Sequence, residues 1–243
     1  MYIKVWDGDK PVSKALYIAI AINPDGKREV VGIAVYDRES KASYKEFLKG
    51  LKARGLARID LAVSDSHEGL VEALREEFLG SSWQRCQTHF SKNMRDKCPK
   101  SIWAEVKELL GAIYNARNSS EARRQKDELL AYLLDKAPKA AELLDNAFDD
   151  ISAVFALPLK YRKSLRTSNP IERFNEEIRR REHPIRIFPS DDSVLRILGS
   201  VAMEIHDKWS AGRLVFSMDE YFDKQLKTAA VTASTDQKER RVA

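Results

Sequence analysis

The first 36 residues carry apolar segments typical of β-strands, and the first of these segments alternates between apolar and polar positions. Residues 2–6 are predicted to form one strand, residues 15–22 a second and residues 30–36 a third. The turn signals between them, Asp-Gly-Asp at 7–9 and Asn-Pro-Asp-Gly at 23–26, are typical of hairpins. The sequence therefore predicts an antiparallel meander of three strands.

Helical spacing begins after the meander. Apolar residues within 41–54 fall on one face of a helix, which is predicted to end at Gly55, a residue common just past a helix C-terminus. Residues 59–63 form an apolar run typical of a buried strand, and residues 70–78 return to helical spacing. A short fifth strand is predicted near residues 83–86. This order resembles an α/β fold with a ribonuclease-H-like mixed five-stranded sheet, whose fourth strand is parallel to the first.

The second half of the chain has a helical pattern. From residue 90 to about residue 159 the apolar positions keep a helical period, so we expect an all-helical insertion between the fifth strand and the helix that carries Glu172. That helix is predicted to have Asn169 as its N-cap and Pro170 at its first position. A further helix is predicted at 191–209. The predicted divisions are 1–89 and 161–225 for the two parts of the sheet-containing core, 90–160 for the insertion and 226–243 for a disordered tail.

Asp65 stands where the fourth predicted strand stops and the next helix begins. A carboxylate at the carboxyl end of a buried strand in an α/β sheet points toward the crevice in which ligands bind. The alternative is local, because Asp65 followed by Glu68 is a capping-box pattern and helix caps are commoner than catalytic acids. The pattern alone leaves both interpretations open.

Glu172 lies in the first turn of the helix predicted from Asn169. Apolar residues at helical spacing occupy one face of that helix, which leaves the other face for polar residues. The residues on or beside the polar face are Glu172, Asn175, Glu176 and Arg179. A carboxylate, an amide and a guanidinium could therefore contact the same ligand. Here too a local alternative exists, since Glu172 is placed to complete a helix cap with Asn169.

Composition narrows the class of protein. The 243 residues can form one large or two small domains, and the two cysteines, Cys86 and Cys98, are too few for a disulfide framework. The chain starts without a signal-peptide pattern, and the apolar run at 15–22 is too short to cross a membrane. These features predict a protein of a reducing compartment.

Positive charge is concentrated in two segments, although the net charge is only +5. Residues 84–107 hold six Lys and Arg against two acids, and residues 162–186 hold eight against four, so the rest of the chain carries −3. Positive charge beside candidate acids is typical of a protein that binds a polyphosphate. A solvated, charge-rich surface would give the same pattern.

Three blocks of sequence, taken together, resemble one protein family. They are Ser-Asp-Ser-His-Glu-Gly-Leu at 64–70, Trp-Gln-Arg-Cys-Gln-Thr-His-Phe-x-x-Asn at 83–93, and Thr-Ser-Asn-Pro-Ile-Glu-Arg-x-Asn at 167–175. These blocks resemble the Mutator-type transposases of bacterial insertion sequences, over roughly residues 1–225. Several blocks in register are more specific than any lone motif.

The resemblance implies a ribonuclease-H-like fold and cut-and-join DNA transposition by three acidic residues, the DDE chemistry. Asp65 matches the second aspartate of that triad and Glu172 matches its glutamate. The first aspartate matches a position just ahead of Met1 and is not on this chain, and Asp7 and Asp9 are poor substitutes because they belong to the following turn. We therefore expect a truncated reading frame, a mis-called start or an excised fragment, inactive by itself.

The resemblance also implies a cofactor and partners. Mg²⁺ or Mn²⁺ would be held by Asp65 and Glu172, since hard oxygen ligands suit these ions. Double-stranded DNA, as terminal inverted repeats and as target, is the implied substrate, and bringing two ends together implies a homo-oligomer. The implied location is the bacterial cytoplasm, at the nucleoid and not in a membrane. The residues expected to contact DNA are Arg85, His89, Lys92, Asn93, Arg166, Asn169, Arg173, Asn175, Arg179 and Arg180.

Cys86-x-x-His89 is a second hallmark of the family that the chain resembles. Two ligands make half of a structural zinc site, and the sequence offers no second pair at such a spacing. A structural role is therefore favoured, in which Cys86 packs at the end of the fifth strand and His89 forms hydrogen bonds near the acids. Zinc and a catalytic thiol are the lesser alternatives.

Two other functions remain open beside the transposase. One is a different ribonuclease-H-like nuclease, which would use the same acids without the long helical insertion. The other is a non-catalytic, transposase-derived DNA-binding protein, which the missing aspartate favours.

Overall fold

The structure, a computed structural model, describes residues 1–223, so the tail predicted to be disordered at 226–243 lies outside the described residues. The predicted meander is confirmed. Strands β1 (Tyr2–Asp7), β2 (Lys10–Ile22) and β3 (Arg28–Tyr36) form an antiparallel sheet in the order β1-β2-β3. β2 begins earlier than predicted, because the tight turn at Gly8 (φ +63°) lets pairing continue to the end of β1.

Helices make up most of the remaining described chain. Between them lie two short strands, β4 (Leu61–Ser64) and β5 (Ser82–Arg85), and one 3₁₀ turn at Ala153–Ala156. The helices are α1 (Lys41–Ala53), α2 (Glu68–Glu77), α3 (Gln87–Lys97), α4 (Trp103–Tyr114), α5 (Ser119–Lys136), α6 (Pro138–Ser152), α7 (Leu159–Leu165), α8 (Asn169–Ile185) and α9 (Asp191–Ser210). Within residues 1–223, no helix combines the length and apolar character that crossing a membrane requires.

Helices cover both faces of the meander, because successive side chains of its strands point to opposite faces. Ile3, Val5 and Leu16 pack against α8 and α9 on one face. Ala15 and Tyr17 pack against α1 and α2 on the other. Burial on both faces explains why residues 15–22 of β2 form a continuous apolar run.

The predicted single sheet of five strands is not observed. β4 and β5 pair in parallel as a separate sheet of two strands. The free edge of β1 bonds instead to Phe188, whose backbone exchanges hydrogen bonds of 2.9 Å with Lys4 and Trp6. β1 pairs with β2 only as far as Ala15, so residues 17–22 of β2 have β3 alone as a strand partner. Within residues 1–223, therefore, no strand joins β2 to β4.

Helices α3 to α6 enclose a core of their own. Leu110, Leu129 and Leu144, one from each of α4, α5 and α6, are almost completely buried together with Phe90 and Met94 of α3. The helical pattern predicted from residue 90 is confirmed, and α3 already begins three residues before that point.

Gln84 on β5 joins this helical core to the sheet. Its side chain is completely buried, and its amide nitrogen donates to the carbonyl of Ile151 at 2.9 Å. Its amide oxygen accepts from the backbone N–H of Val154, also at 2.9 Å. The 3₁₀ turn that follows α6 is thus tied to the end of β5.

Replacing Gln84 by Leu is expected to lower the free energy of unfolding by about 2 kcal/mol, because the buried N–H of Val154 loses its partner. Gln87→Leu is the matched control. Gln87 donates to the same Ile151 carbonyl, which would keep its bond from Gln84, and the Gln87 side-chain oxygen has no partner to lose. Urea denaturation of the two variants measures the difference, and equal losses would contradict this account.

Candidate functional site

Asp65 follows β4 directly and is exposed. Helix α2 starts only at Glu68, and its N-cap is His67, whose side chain makes no capping hydrogen bond. The capping interpretation of Asp65 is therefore wrong. Within residues 1–223, the Asp65 carboxylate accepts no hydrogen bond and forms no ion pair. Among the described residues, the Asp65 side chain therefore forms no hydrogen bond or ion pair that would stabilise the end of β4.

The neighbouring strand brings Cys86 beside Asp65. Ser64 lies opposite Arg85 in the parallel register of β4 and β5, and the backbone N–H of Cys86 donates to the Ser64 carbonyl at 2.7 Å. Cys86 is completely buried and is the N-cap of α3. Its sulfur accepts hydrogen bonds from the backbone N–H and the hydroxyl of Ser168, at 3.3 and 3.2 Å.

The start of α8 is thereby held against the end of β5. The backbone N–H of Gln87 donates to the Arg166 carbonyl at 3.0 Å, and Ser168 is the N-cap of α8. The prediction of Asn169 as the N-cap is wrong, because the helix already includes Asn169. The predicted capping role of Glu172 is therefore also wrong, because no side chain forms a capping hydrogen bond at the start of α8.

Glu172 instead contacts Ser168 and His89. The Ser168 hydroxyl lies 3.3 Å from Glu172 Oε1 and can donate its single proton either there or to Cys86, and His89 Nε2 lies 3.7 Å from the same carboxylate oxygen. Helices α3 and α8 both present their N-termini here, and the positive end of a helix dipole favours anionic groups and phosphates.

The N-terminal amino group lies at the start of β1 and contacts β2 and Glu39. It donates to the Leu16 carbonyl at 3.1 Å and lies 3.9 Å from Glu39 Oε1. Burial lowers the pKa of this amino group, Glu39 and Asp65 act in the opposite direction, and Arg179 adds to the lowering.

Half of the ten predicted DNA contacts are exposed on the surface. Lys92, Arg173 and Arg179 are exposed and form no ion pair within residues 1–223. Arg180 is exposed and is paired with Glu177 at 2.7 Å. The predicted amide contacts are Asn93 and Asn175, which are half-buried, and Asn169, which is exposed.

Arg85 and Arg166 face into the protein instead. Arg85 is only 9% exposed, its guanidinium lies 5.2 Å from the centre of the Phe90 ring, and its Nε has no hydrogen-bond partner among the described residues. Burial lowers its pKa, although Asp65 is among the acids that oppose the shift. Arg166 donates to the Tyr114 carbonyl at 3.1 Å and to Asn115 Oδ1 at 3.0 Å. Both arginines therefore contact protein groups around the ends of β5 and α7.

Ser168 is the central residue that sequence reasoning missed. Its hydroxyl contacts Cys86, His89 and Glu172, which come from two helices. The one signal in the sequence is the position of Ser168 one turn before Glu172. The prediction of Asn169 as the N-cap placed the helix start one residue too late, so Ser168 was not considered.

Comparison with known proteins identifies the family. The family model described as "Transposase, Mutator family" matches residues 1–212. The chain is 38% identical over 228 residues to the transposase for insertion sequence element IS256 in transposon Tn4001 of Staphylococcus aureus. The aligned segment covers 92% of the chain and 57% of that protein. It is 36% identical over 239 residues to the transposase for element IS1081 of Mycobacterium tuberculosis, covering 98% and 56%.

A third relative, the transposase for element ISRM5 of Rhizobium meliloti, is 35% identical over 219 residues, covering 90% of the chain and 55% of that protein. The chain thus spans about half the length of the curated relatives that it matches. Because the family model and these relatives each cover most of the chain, it belongs to the Mutator family of transposases.

Proposed function

We propose that this chain carries most of the catalytic core of a DDE-type DNA transposase, with Asp65 and Glu172 as two of its three acids. One observation carries the proposal. A chain of hydrogen bonds runs from Ser64, beside Asp65, through Cys86 to Ser168 and on to Glu172. Two acids that are far apart in sequence are therefore linked, through short contacts, at one end of the β4 and β5 pair. Such a pair is what metal-dependent cleavage of a phosphodiester needs.

The complete protein is proposed to have the ribonuclease-H-like sheet of five strands. Three observations support it: helices on both faces of the meander, a parallel pair β4 and β5, and an unpaired edge of β2 from residue 17 onward. A strand that continued β1 backward from Met1 would run along that edge. Glu39 lies 3.9 Å from the Met1 amino group and 3.9 Å from His67, two residues after Asp65, so an aspartate on this strand would lie on the same side of the sheet as Asp65. We therefore propose that residues 1–243 alone are inactive.

Mg²⁺ or Mn²⁺ suits the oxygen chemistry of the two acids. Both carboxylates are accessible, neither is neutralised by a Lys or Arg within residues 1–223, and hard oxygen ligands from one or two carboxylates are typical of Mg²⁺ sites. Asp65 and Glu172 would hold the ion, which would supply Lewis-acid activation of the phosphodiester. The paired helix N-termini of α3 and α8 would favour the bound phosphate.

Double-stranded DNA, as the ends of an insertion sequence and as target, is the proposed substrate. The exposed cations Lys92, Arg173, Arg179 and Arg180 would hold its phosphates, and Asn169 and Asn175 beside them could add hydrogen bonds. Joining two ends requires at least two active sites, so we propose that the protein acts as a homo-oligomer on the bacterial chromosome.

A non-catalytic DNA-binding protein is the second candidate, because the exposed arginines of α8 could hold DNA without any cleavage. The experiment that separates the two uses an extended protein, in which the N-terminal part of the Staphylococcus aureus IS256 transposase precedes Met1. In Mg²⁺, the extended protein should cleave a plasmid that carries the ends of IS256, and the unextended chain should not. Binding without cleavage by both would support the second candidate.

A further inference from the structure

Three possible metal ligands converge where α3 and α8 begin. The Cys86 sulfur, a ring nitrogen of His89 and a carboxylate oxygen of Glu172 all lie within 4.8 Å of one another. Within the described residues, no other group of three or more Cys, His, Asp or Glu side chains comes together in this way. The acids and histidines elsewhere on residues 1–223 therefore offer no comparable site.

Local structure explains the convergence. Cys86 is the N-cap of α3 and His89 is its third residue, the spacing at which the two side chains of a capping box meet. Glu172 is one turn beyond Ser168, and the bonds from Ser168 to Cys86 fix the start of α8. The positions of all three side chains thus follow from two helix starts that are bonded to each other.

The hydroxyl of Ser168 sits among the three ligand atoms. Its Oγ is 3.2 Å from Cys86 Sγ, 3.4 Å from His89 Nδ1 and 3.3 Å from Glu172 Oε1. A serine hydroxyl has a single proton to donate, so it cannot donate to the sulfur and to the carboxylate at once, and the sulfur keeps its bond from the backbone N–H of Ser168. A cation can be shared by three such donor atoms.

We infer that Cys86, His89 and Glu172 form a site for Zn²⁺ or a similar transition-metal ion. Thiolate and imidazole ligands select Zn²⁺ and Co²⁺, whereas Mg²⁺ and Mn²⁺ prefer oxygen ligands alone. Three protein ligands leave one coordination position open, as in zinc sites that bind a fourth ligand from solvent. The ion can enter from solvent, because the side chains of His89 and Glu172 are 33% and 39% exposed.

The inferred site shares Glu172 with the proposed catalytic pair. An ion bound to the Cys86 sulfur would engage Glu172 and withdraw it from Asp65, so zinc would inhibit cleavage. This consequence rests on the proposed function. The site itself does not, because it depends on the position of Glu172 and not on its part in catalysis.

Titration of the complete 243-residue chain with Co²⁺, under reducing conditions, tests the site. Cobalt bound to a thiolate gives a near-ultraviolet charge-transfer band, which Zn²⁺ should abolish by displacing the cobalt. The band should disappear in Cys86→Ser and persist in Cys98→Ser, the matched control, since Cys98 is the other cysteine and burial raises the pKa of its thiol. His89→Asn and Glu172→Gln should each weaken Co²⁺ binding by at least roughly tenfold.

Absence of the band in the unaltered chain, or its loss in Cys98→Ser, would overturn the inference. Unchanged Co²⁺ affinity in both His89→Asn and Glu172→Gln would also overturn it, because the cluster would then be a hydrogen-bond network around Ser168. The His89→Asn and Glu172→Gln variants test the site even if Cys86→Ser fails to fold. Both side chains are partly exposed, so replacing them should not prevent folding. The titration requires no DNA cleavage, so its outcome is separate from that of the proposed function.

Discussion

Replacing Asp65 by Asn, or Glu172 by Gln, in the extended protein is expected to slow DNA cleavage by at least about a hundredfold. Each change keeps the size of the side chain and removes the negative charge that would hold Mg²⁺. Asp65 has no structural partner within residues 1–223, and Glu172 keeps a hydrogen-bonding side chain beside Ser168. Stability should therefore change little, and cleavage of the IS256 plasmid measures the loss.

Asp9→Asn and Glu204→Gln are the matched controls for charge. Both acids are exposed and form no ion pair within the described residues, and they lie on the first hairpin and on α9. Their cleavage rates should match that of the unaltered extended protein. If Asp65→Asn or Glu172→Gln cleaved as fast as these controls, the acid pair would have no catalytic part.

The second large effect is expected on DNA affinity. Changing Arg173 and Arg179 together to Ala should weaken binding of the 243-residue chain to duplex DNA by roughly a hundredfold at low salt. Both side chains are exposed and without ion pairs within residues 1–223, so their charge is available to phosphates. The slope of log affinity against log salt should fall by about one for each arginine.

The control is the double variant Lys10→Ala and Lys139→Ala, which removes the same charge from the first hairpin and from α6. Its salt dependence should stay close to that of the unaltered chain. Equal effects of the two double variants would show that binding follows net charge alone, and would refute a DNA-binding surface on α8.

Hydrophobic periodicity was sufficient to predict most elements of this fold. The apolar runs of β2 and β3 and the helical stripe of α1 are properties of short windows, and Gly55 adopts the positive φ (+105°) expected just after a helix. The sheet was not predictable in the same way, because strand pairing depends on distant segments. Phe188, which lies far along the chain, occupies the edge of β1.

Helix caps show a second limit of sequence reasoning. Asp65 and Asn169 are both good capping residues, yet the helices begin at Glu68 and at Asn169 itself. A cap requires a particular backbone conformation at one residue, and packing decides where that conformation falls. The same packing decides which basic residues are buried, as with Arg85, which the sequence alone does not distinguish from its exposed neighbours.

The cluster at Cys86 shows why ligand counting along a sequence was incomplete. Cys86 and His89 are a local pair, and the sequence holds no second pair of Cys or His residues at such a spacing. The third possible ligand is Glu172, a carboxylate from another helix that Ser168 brings into place. Only the tertiary contact between α3 and α8 reveals it.

The most direct test of the acid pair is the affinity of the extended protein for Mn²⁺, measured by electron paramagnetic resonance. Asp65→Asn and Glu172→Gln should each weaken Mn²⁺ binding by at least roughly tenfold, and Cys86→Ser should leave it unchanged, because Mn²⁺ prefers oxygen ligands. Undiminished affinity in either acid variant would contradict a shared metal site at the end of β4 and β5.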